Sequence, residues 1–235
     1  MYIRMLLSMG IYLYTTRVVL SILGVEDYGI YNVVGGLVAM FSFLNATMSG
    51  ATSRFITFEL GKNSSKVQTV FSVALTIHII IALIVFLIGE TFGLWFLENK
   101  LTIPATKMYE AKWLLQFSIV TMIFSFTQVP YNASIIAHEK MNIYAYFELV
   151  NVGLKLLSVY LLLIIDANKL IFYGAIVMLT QIGVTLLYRL YCTRKWEHCK
   201  FNLSLDREFL RPLLSYSGWD LFGNASLVAR TQGVN

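Results

Sequence analysis

The sequence predicts an all-α bundle of membrane-spanning helices. Of its 235 residues, 57% are hydrophobic and 13% are charged, whereas a soluble domain carries about 25% charged residues. The mean hydropathy is +0.69, and the apolar runs reach the roughly 20 residues that a helix needs to cross a bilayer. A membrane β-barrel would alternate polar and apolar residues, but Ile79 to Ile88 reads IIIALIVFLI. With 3 Pro and 2 Cys, disordered and disulfide-rich chains are also excluded.

Six apolar stretches are predicted to span the membrane, and short polar links between them indicate antiparallel neighbours. They cover 5–23, 30–50, 71–97, 113–137, 147–165 and 170–191. The first is interpreted as a retained helix, because Arg17 interrupts it and no small-x-small cleavage site follows. We therefore predict three parts: a six-helix bundle (1–192), a basic linker (193–212) and the start of a seventh helix (213–235).

The basic residues are distributed unequally between alternate links. Ten lie in the even-numbered links and four in the odd-numbered ones. The even set is Arg54, Lys62, Lys66, Lys140, Arg189, Arg194, Lys195, Lys200, Arg207 and Arg211; the odd set is Lys100, Lys107, Lys112 and Lys169. The positive-inside rule places the even links and the N-terminus in the cytoplasm. The basic stretch 194–211 is expected to contact anionic lipid headgroups rather than nucleic acid.

An ionisable residue within a membrane span is expected to have a structural or functional role, because inserting it at the helix centre costs roughly 2.5–3.5 kcal/mol. Arg17 fits an interfacial anchor and an anion-binding side chain in a cavity equally well. For Arg54, at the end of the second span, the anchoring interpretation is the stronger. Arg230 and Asp220 in the seventh helix favour a cavity or a protein interface over lipid.

Four residues are candidates for coupling ions or pairing helices: Asp220 of the seventh helix and three residues of the earlier spans. Glu148 and Lys155 lie two turns apart on one face of the fifth span, too far for a direct pair, so partners on other helices are expected. Glu90, near the outer end of the third span, is a plausible proton-titrating carboxylate, although an interfacial role is favoured.

Enzyme and metal signatures are incomplete. His138 and Glu139 begin an HExxH motif, but Asn142 stands where the second histidine belongs. Cys192, His198 and Cys199 lack a fourth ligand, which favours reduced thiols over a zinc site. No phosphate-binding loop occurs. We therefore predict a protein that is not an enzyme and that holds no metal or cofactor.

Residues 17–62, and above all LGVEDYGIYNVV (23–34), resemble the first two helices of bacterial polysaccharide-biosynthesis flippases of the O-antigen type, within the multidrug/oligosaccharidyl-lipid/polysaccharide exporter superfamily. Stretches 70–97, 128–156 and 217–235 support the resemblance. It implies two six-helix bundles around a central cavity that opens alternately to either side. This chain is then expected to be a fragment that holds the N-terminal bundle.

The resemblance implies a lipopolysaccharide-related transport function in the bacterial inner membrane. The expected substrate is an oligosaccharide on undecaprenyl pyrophosphate, flipped from the cytoplasmic to the periplasmic leaflet, with a polysaccharide polymerase and other assembly proteins as partners. Arginines of the first two helices line the cavity in related flippases, which gives Arg17 and Arg54 a role at the pyrophosphate. Arg230 of the seventh helix is expected to contact the same anionic headgroup. Three alternatives stay open: a drug/cation antiporter of the same superfamily, a membrane-embedded glycosyltransferase, and a structural membrane subunit.

Overall fold

The fold is a bundle of long helices. A computed structural model describes residues 2–62, 65–164, 168–202 and 206–232, and it describes their side chains except at 2–7, 39, 43, 220–222 and 224–232. Every regular element in these ranges is helical, which confirms the all-α prediction. The helices are α1 (Tyr2–Ala39), α2 (Ser42–Gly61), α3 (Val67–Ile88), α4 (Leu94–Asn99), α5 (Met108–Ala137), α6 (Met141–Ile164), α7 (Lys169–Lys195) and α8 (Arg207–Gln232).

Within the described residues, five helical segments are long and apolar enough to cross a membrane, so six spans are not confirmed. They are Ser8–Val38, Val67–Asn99, Ala105–Ala137, Met141–Ile164 and Lys169–Lys195. The predicted span 30–50 is not one helix, because a turn at Met40 and Phe41 separates α1 from α2. The Phe41 N–H donates to the Val38 carbonyl at 3.0 Å, an i→i−3 bond typical of a tightened helix end. α2 is more polar than α1 and is not among these five segments, but no charged residue or proline marks the turn itself.

A second interruption lies within α1, at Gly24. Its backbone angles are φ 78° and ψ 170°, a region that essentially only glycine adopts without strain. Helical residues flank it on both sides, so α1 consists of two helices joined at one residue. The polar link predicted at 24–29 is therefore mostly helical, and the change of direction falls on its first residue.

Replacing Gly24 with alanine is expected to lower the free energy of unfolding by about 1–2 kcal/mol. A Cβ there would meet nothing within 4 Å, so the cost comes from backbone conformation alone. Gly29→Ala is the matched control, because its Cβ is equally unhindered but its backbone is helical, where alanine is favoured by up to about 1 kcal/mol. SDS titration of the purified chain compares the two; equal effects would contradict the backbone explanation.

α5 is the central helix and packs against most of the others. Two glycines allow neighbouring helices to approach it closely. A Cβ at Gly89 would lie 2.7 Å from Ile119 Cδ1, and one at Gly174 would lie 2.7 Å from Leu114 Cδ1. Gly89 opens a single π-helical turn, Gly89–Gly93, that joins α3 to α4. Gly174 therefore allows α7 to pack closely against α5.

The links gather at two ends of the bundle. At the end that we call the Lys107 end, Lys107 Nζ lies 2.8 Å from Asp27 Oδ1, and the Asn168 amide donates to Glu110 at 3.2 Å. These contacts bring together the break in α1 and the links before α5 and α7. One apolar core lies toward this end and includes Leu97, Leu114, Leu115, Ile119 and Leu170.

The opposite end, which we call the Lys66 end, joins the start of α3 to α8. Lys66 Nζ lies 2.7 Å from Glu208 Oε1, and this hydrogen bond raises the Lys66 pKa. The second apolar core lies here and includes Ile56, Phe71, Ile135, Tyr188 and Leu213. α8 begins at Arg207, so the segment predicted as a linker up to 212 already contains the start of the last helix.

Candidate functional site

The second predicted arginine, Arg54, lines an open groove between α2 and α8. This groove, which we call the Arg54 groove, has a volume of about 450 Å³ and is lined by Arg54, Phe55, Phe58, Pro212, Ser215, Tyr216 and Trp219. The guanidinium carbon lies 4.9 Å from the centre of the Tyr216 ring, within cation–π range. In the described part of the chain, Arg54 forms no ion pair with a carboxylate. The described carboxylates therefore leave this charge unpaired.

The walls of the Arg54 groove are largely apolar and accessible. The side chain of Trp219 is 75% exposed and that of Phe58 is 58% exposed. A second cation stands nearby, since Lys62 Nζ lies 4.0 Å from the centre of the Phe58 ring and 3.7 Å from Glu59. Cationic groups beside exposed aromatic rings suit a ligand that carries both an anionic head and an apolar chain.

The first predicted arginine, Arg17, lies on the outer face of α1 and outside the Arg54 groove. Its side chain is exposed and forms no ion pair with the described carboxylates. Leu13 and Leu20 lie on the same helix face, as do Tyr14 and Ser21. This mixture of apolar and polar neighbours agrees with an interfacial anchor and with a cavity-facing side chain alike.

Glu90 has a defined partner. It lies in the π-helical turn Gly89–Gly93 and accepts a hydrogen bond of 3.0 Å from the Gln116 amide of α5. The Glu90 carboxylate is half-buried, and its hydrogen bond with Gln116 connects the α3–α4 junction to α5. π-Helical turns are frequent at functional sites, so the position combines a structural contact with a group that can take up a proton.

The remaining predicted candidates are not brought together. Glu148 is half-buried and Lys155 is exposed on α6, and neither forms an ion pair with another described residue. The side chains of Asp220 and Arg230 lie outside the described residues, so their surroundings are not described. The interhelical pairing expected for Glu148 and Lys155 is therefore not seen in the described part of the chain.

A row of polar side chains inside the bundle was missed by the sequence analysis. Ser118, Thr121, Ser125 and Gln128 follow one another at i, i+3, i+7 and i+10 along α5, which places them on one helix face. The signal was present in the sequence, but each residue is uncharged and leaves the hydropathy of the span high. A search for polar residues at helical spacing within apolar spans would have found the row.

Neighbouring helices complete this row with hydrogen bonds. Asn45 of α2 donates to Ser125 at 2.8 Å, and Gln181 of α7 donates to Gln128 at 2.9 Å. The Thr185 hydroxyl also donates to Gln128, at 3.1 Å. The side-chain amides of Asn45 and Gln181 thus orient Ser125 and Gln128. These hydrogen bonds link α2, α5 and α7.

The predicted cysteine and histidine group gains a further member. His138, at the end of α5, lies 4.0 Å from Trp196 and 5.1 Å from His198 between ring centres. Cys192 and Cys199 are buried free thiols. Burial lowers the pKa of His138, which favours its neutral ring at pH 7. Among the described residues, no group of three or more His, Cys, Asp and Glu could hold a metal ion. The stacked rings of His138, Trp196 and His198 hold the segment between α7 and α8 against the end of α5.

Fold and composition indicate a helical membrane protein, and the described part of the chain contains five candidate spans. Comparison of the chain with protein-family models, curated proteins and solved structures finds no match.

Proposed function

We propose that this chain is the N-terminal bundle of a flippase that moves an oligosaccharide on undecaprenyl pyrophosphate across the bacterial inner membrane. Transport would proceed from the cytoplasmic to the periplasmic leaflet by alternating access. The proposal draws on the resemblance of residues 17–62 to polysaccharide flippases and on the excess of basic residues in the even-numbered links. That excess places the Lys66 end, with the Arg54 groove, at the cytoplasmic face.

The observation that carries the proposal is the exposed guanidinium of Arg54 in a groove with aromatic walls. A diphosphate enters a bilayer unfavourably unless its charge is paired, and a guanidinium matches phosphate oxygens with two parallel hydrogen bonds. Phe58 and Trp219 offer apolar surface to the first units of a polyprenyl chain. A soluble sugar phosphate would leave that surface unused, so a lipid-linked pyrophosphate is the better fit.

Removing the Arg54 charge is expected to reduce polysaccharide export about tenfold or more. Hydrogen bonds to charged groups contribute about 1.5–3 kcal/mol each, and about 1.4 kcal/mol corresponds to a factor of ten. The measurement is surface polysaccharide in cells that depend on the full protein, with expression matched by immunoblot. Arg54→Lys, which keeps the charge but loses the two-bond geometry, is expected to retain part of the export.

Arg194→Ala is the matched control. Arg194 is also exposed, lies in the last turn of α7 and belongs to the same group of basic links, but it does not line the Arg54 groove. Its loss is expected to leave export within about twofold of wild type, as for surface changes away from a site. Wild-type export by Arg54→Ala, or an equal loss in both variants, would contradict the proposed role.

A second candidate function is a drug/cation antiporter of the same superfamily, and Glu90 favours it. This carboxylate lies in a π-helical turn at the junction of two helices, where protonation would change its bond with Gln116. Cation efflux that is lost in Glu90→Gln, with surface polysaccharide unchanged, would select the antiporter over the flippase.

A further inference from the structure

A second open cavity, with a polar but uncharged lining, lies between α1, α5 and α7, away from the Arg54 groove. Its volume is about 280 Å³, and α1, α5 and α7 form most of its wall. Ser118, Ser125 and Gln181 supply polar groups, while Tyr31 and Phe117 supply aromatic rings. Ser118 and Ser125 lie in the middle third of α5, so the polar groups face the cavity far from both ends of the bundle.

Part of this polar lining has no hydrogen-bond partner among the described residues. The Gln181 amide nitrogen donates to Gln128 at 2.9 Å. The hydroxyls of Ser118, which is half-buried, and of Ser42, which is exposed, form no hydrogen bond with another described residue. Polar groups on a membrane-spanning helix face are costly in an apolar environment unless they are hydrogen-bonded, and a polar ligand would satisfy them.

The chemistry of the lining narrows the class of ligand. It contains no carboxylate for a cation and no basic side chain for an anion. A lipid tail would leave the hydroxyls and the amide unpaired. Hydroxyl and amide groups together with aromatic rings fit a neutral ring that bears hydroxyls on its edge and C–H groups on its faces. At about 280 Å³ the cavity is near the lower end of ligand sites, which run from about 300 to 1,000 Å³, so it suits one ring rather than a chain.

The ring-bearing wall is held in place before any ligand binds. The Tyr31 ring lies 5.0 Å from the Tyr173 ring of α7 between centres. Phe117 packs beside Gly174, where a Cβ would lie 3.1 Å from Phe117 Cδ2. Asn45 fixes the Ser125 hydroxyl from behind. Preorganised groups lose less entropy on binding.

We propose that this cavity binds one neutral sugar ring. The inference rests on the proposed function for the source of that sugar, a residue of the lipid-linked oligosaccharide, but the binding chemistry stands on the cavity itself. The sugar site and the Arg54 groove would then recognise different parts of one substrate: the groove the pyrophosphate, and the cavity a sugar unit.

Two adjacent glycines of α1 provide the test. Gly35 lines the cavity and Gly36 does not, and a Cβ at either would meet nothing within 4 Å. Gly35→Leu therefore fills the cavity without a clash at its first atom, and Gly36→Leu is the matched control in the same helix. Both changes replace a helical glycine, so their effects on helix propensity are equal.

The experiment is saturation-transfer NMR on the full purified chain in a sugar-free detergent. Glucose, galactose and N-acetylglucosamine are the probes, and glycerol is the control polyol. We expect transfer to at least one sugar, at least a tenfold loss in Gly35→Leu and no more than a twofold change in Gly36→Leu. Ser118→Ala, which removes one hydroxyl without adding bulk, is expected to weaken binding about threefold to tenfold.

Three results would overturn the sugar site: no transfer to any of the sugars, equal losses in the two leucine variants, or transfer to glycerol as strong as to the sugars. The last would identify a hydrated cavity that does not recognise a ring. This outcome is distinct from failure of the proposed function. Sugar binding with normal export in Arg54→Ala would refute only the pyrophosphate role, while export loss in Arg54→Ala without sugar binding would refute only the sugar site.

Discussion

Replacing Phe71 with alanine is expected to lower the free energy of unfolding by about 3–5 kcal/mol. The Phe71 side chain is fully buried at the Lys66 end. Its ring lies 5.3 Å from the Tyr131 ring of α5 and 6.4 Å from the His198 ring, edge to face in both cases. Truncation would leave a cavity where α3, α5 and the segment before α8 meet, and the close packing around it allows little collapse.

Phe86→Ala is the control for this prediction. Phe86 lies on the same helix but is 36% exposed, so its truncation opens no interior cavity and is expected to cost less than about 1 kcal/mol. SDS titration in mixed micelles, followed by tryptophan fluorescence, measures both variants. Because Trp196 stacks on His138 beside the same core, its signal also reports local release of the segment. Similar losses in the two variants would show that Phe71 does not anchor the Lys66 end.

Hydropathy predicted most of this fold because lipid-length apolar runs admit few structures other than helices. Hydropathy could not predict where turns and breaks interrupt the helices within those apolar runs. Around Met40 hydropathy falls from α1 into α2, which is not among the candidate spans, but no charged residue or proline marks the turn itself. At Gly24 the interruption depends on one backbone conformation, which glycine permits but does not require.

The candidate sites were less predictable than the fold, because a site depends on residues distant in sequence. Arg54 was recognisable as a charge near a span, but its position over Tyr216 depends on how α8 packs against α2. The row from Ser118 to Gln128 was readable by its helical period. The cavity in front of it also needs Tyr31 of α1, whose position follows from the break at Gly24.

Replacing Lys107 with methionine is expected to lower the free energy of unfolding by about 2–3 kcal/mol. Lys107 faces two carboxylates, Asp27 at 2.8 Å and Glu110 at 4.0 Å, whose side chains are only 18% and 11% exposed. Methionine keeps the length of the side chain and removes the charge, which leaves two poorly hydrated carboxylates near each other. Removing one partner of a fully buried pair costs about 3–5 kcal/mol, and the 27% exposure of Lys107 places the expected loss below that range.

Lys112→Met is the matched control for Lys107, because Lys112 also pairs with a carboxylate at the Lys107 end. Its partner is Glu98, and both side chains are nearly half exposed, so a loss of about 0–1 kcal/mol is expected. Adding Asp27→Asn to Lys107→Met should recover most of the lost stability, because the cost lies in the carboxylates left unpaired. If the double variant were no more stable than Lys107→Met, the loss would come from packing of the lysine chain. Recovery would instead show that the loss in Lys107→Met comes from the carboxylates left without a cation where α1 meets the start of α5.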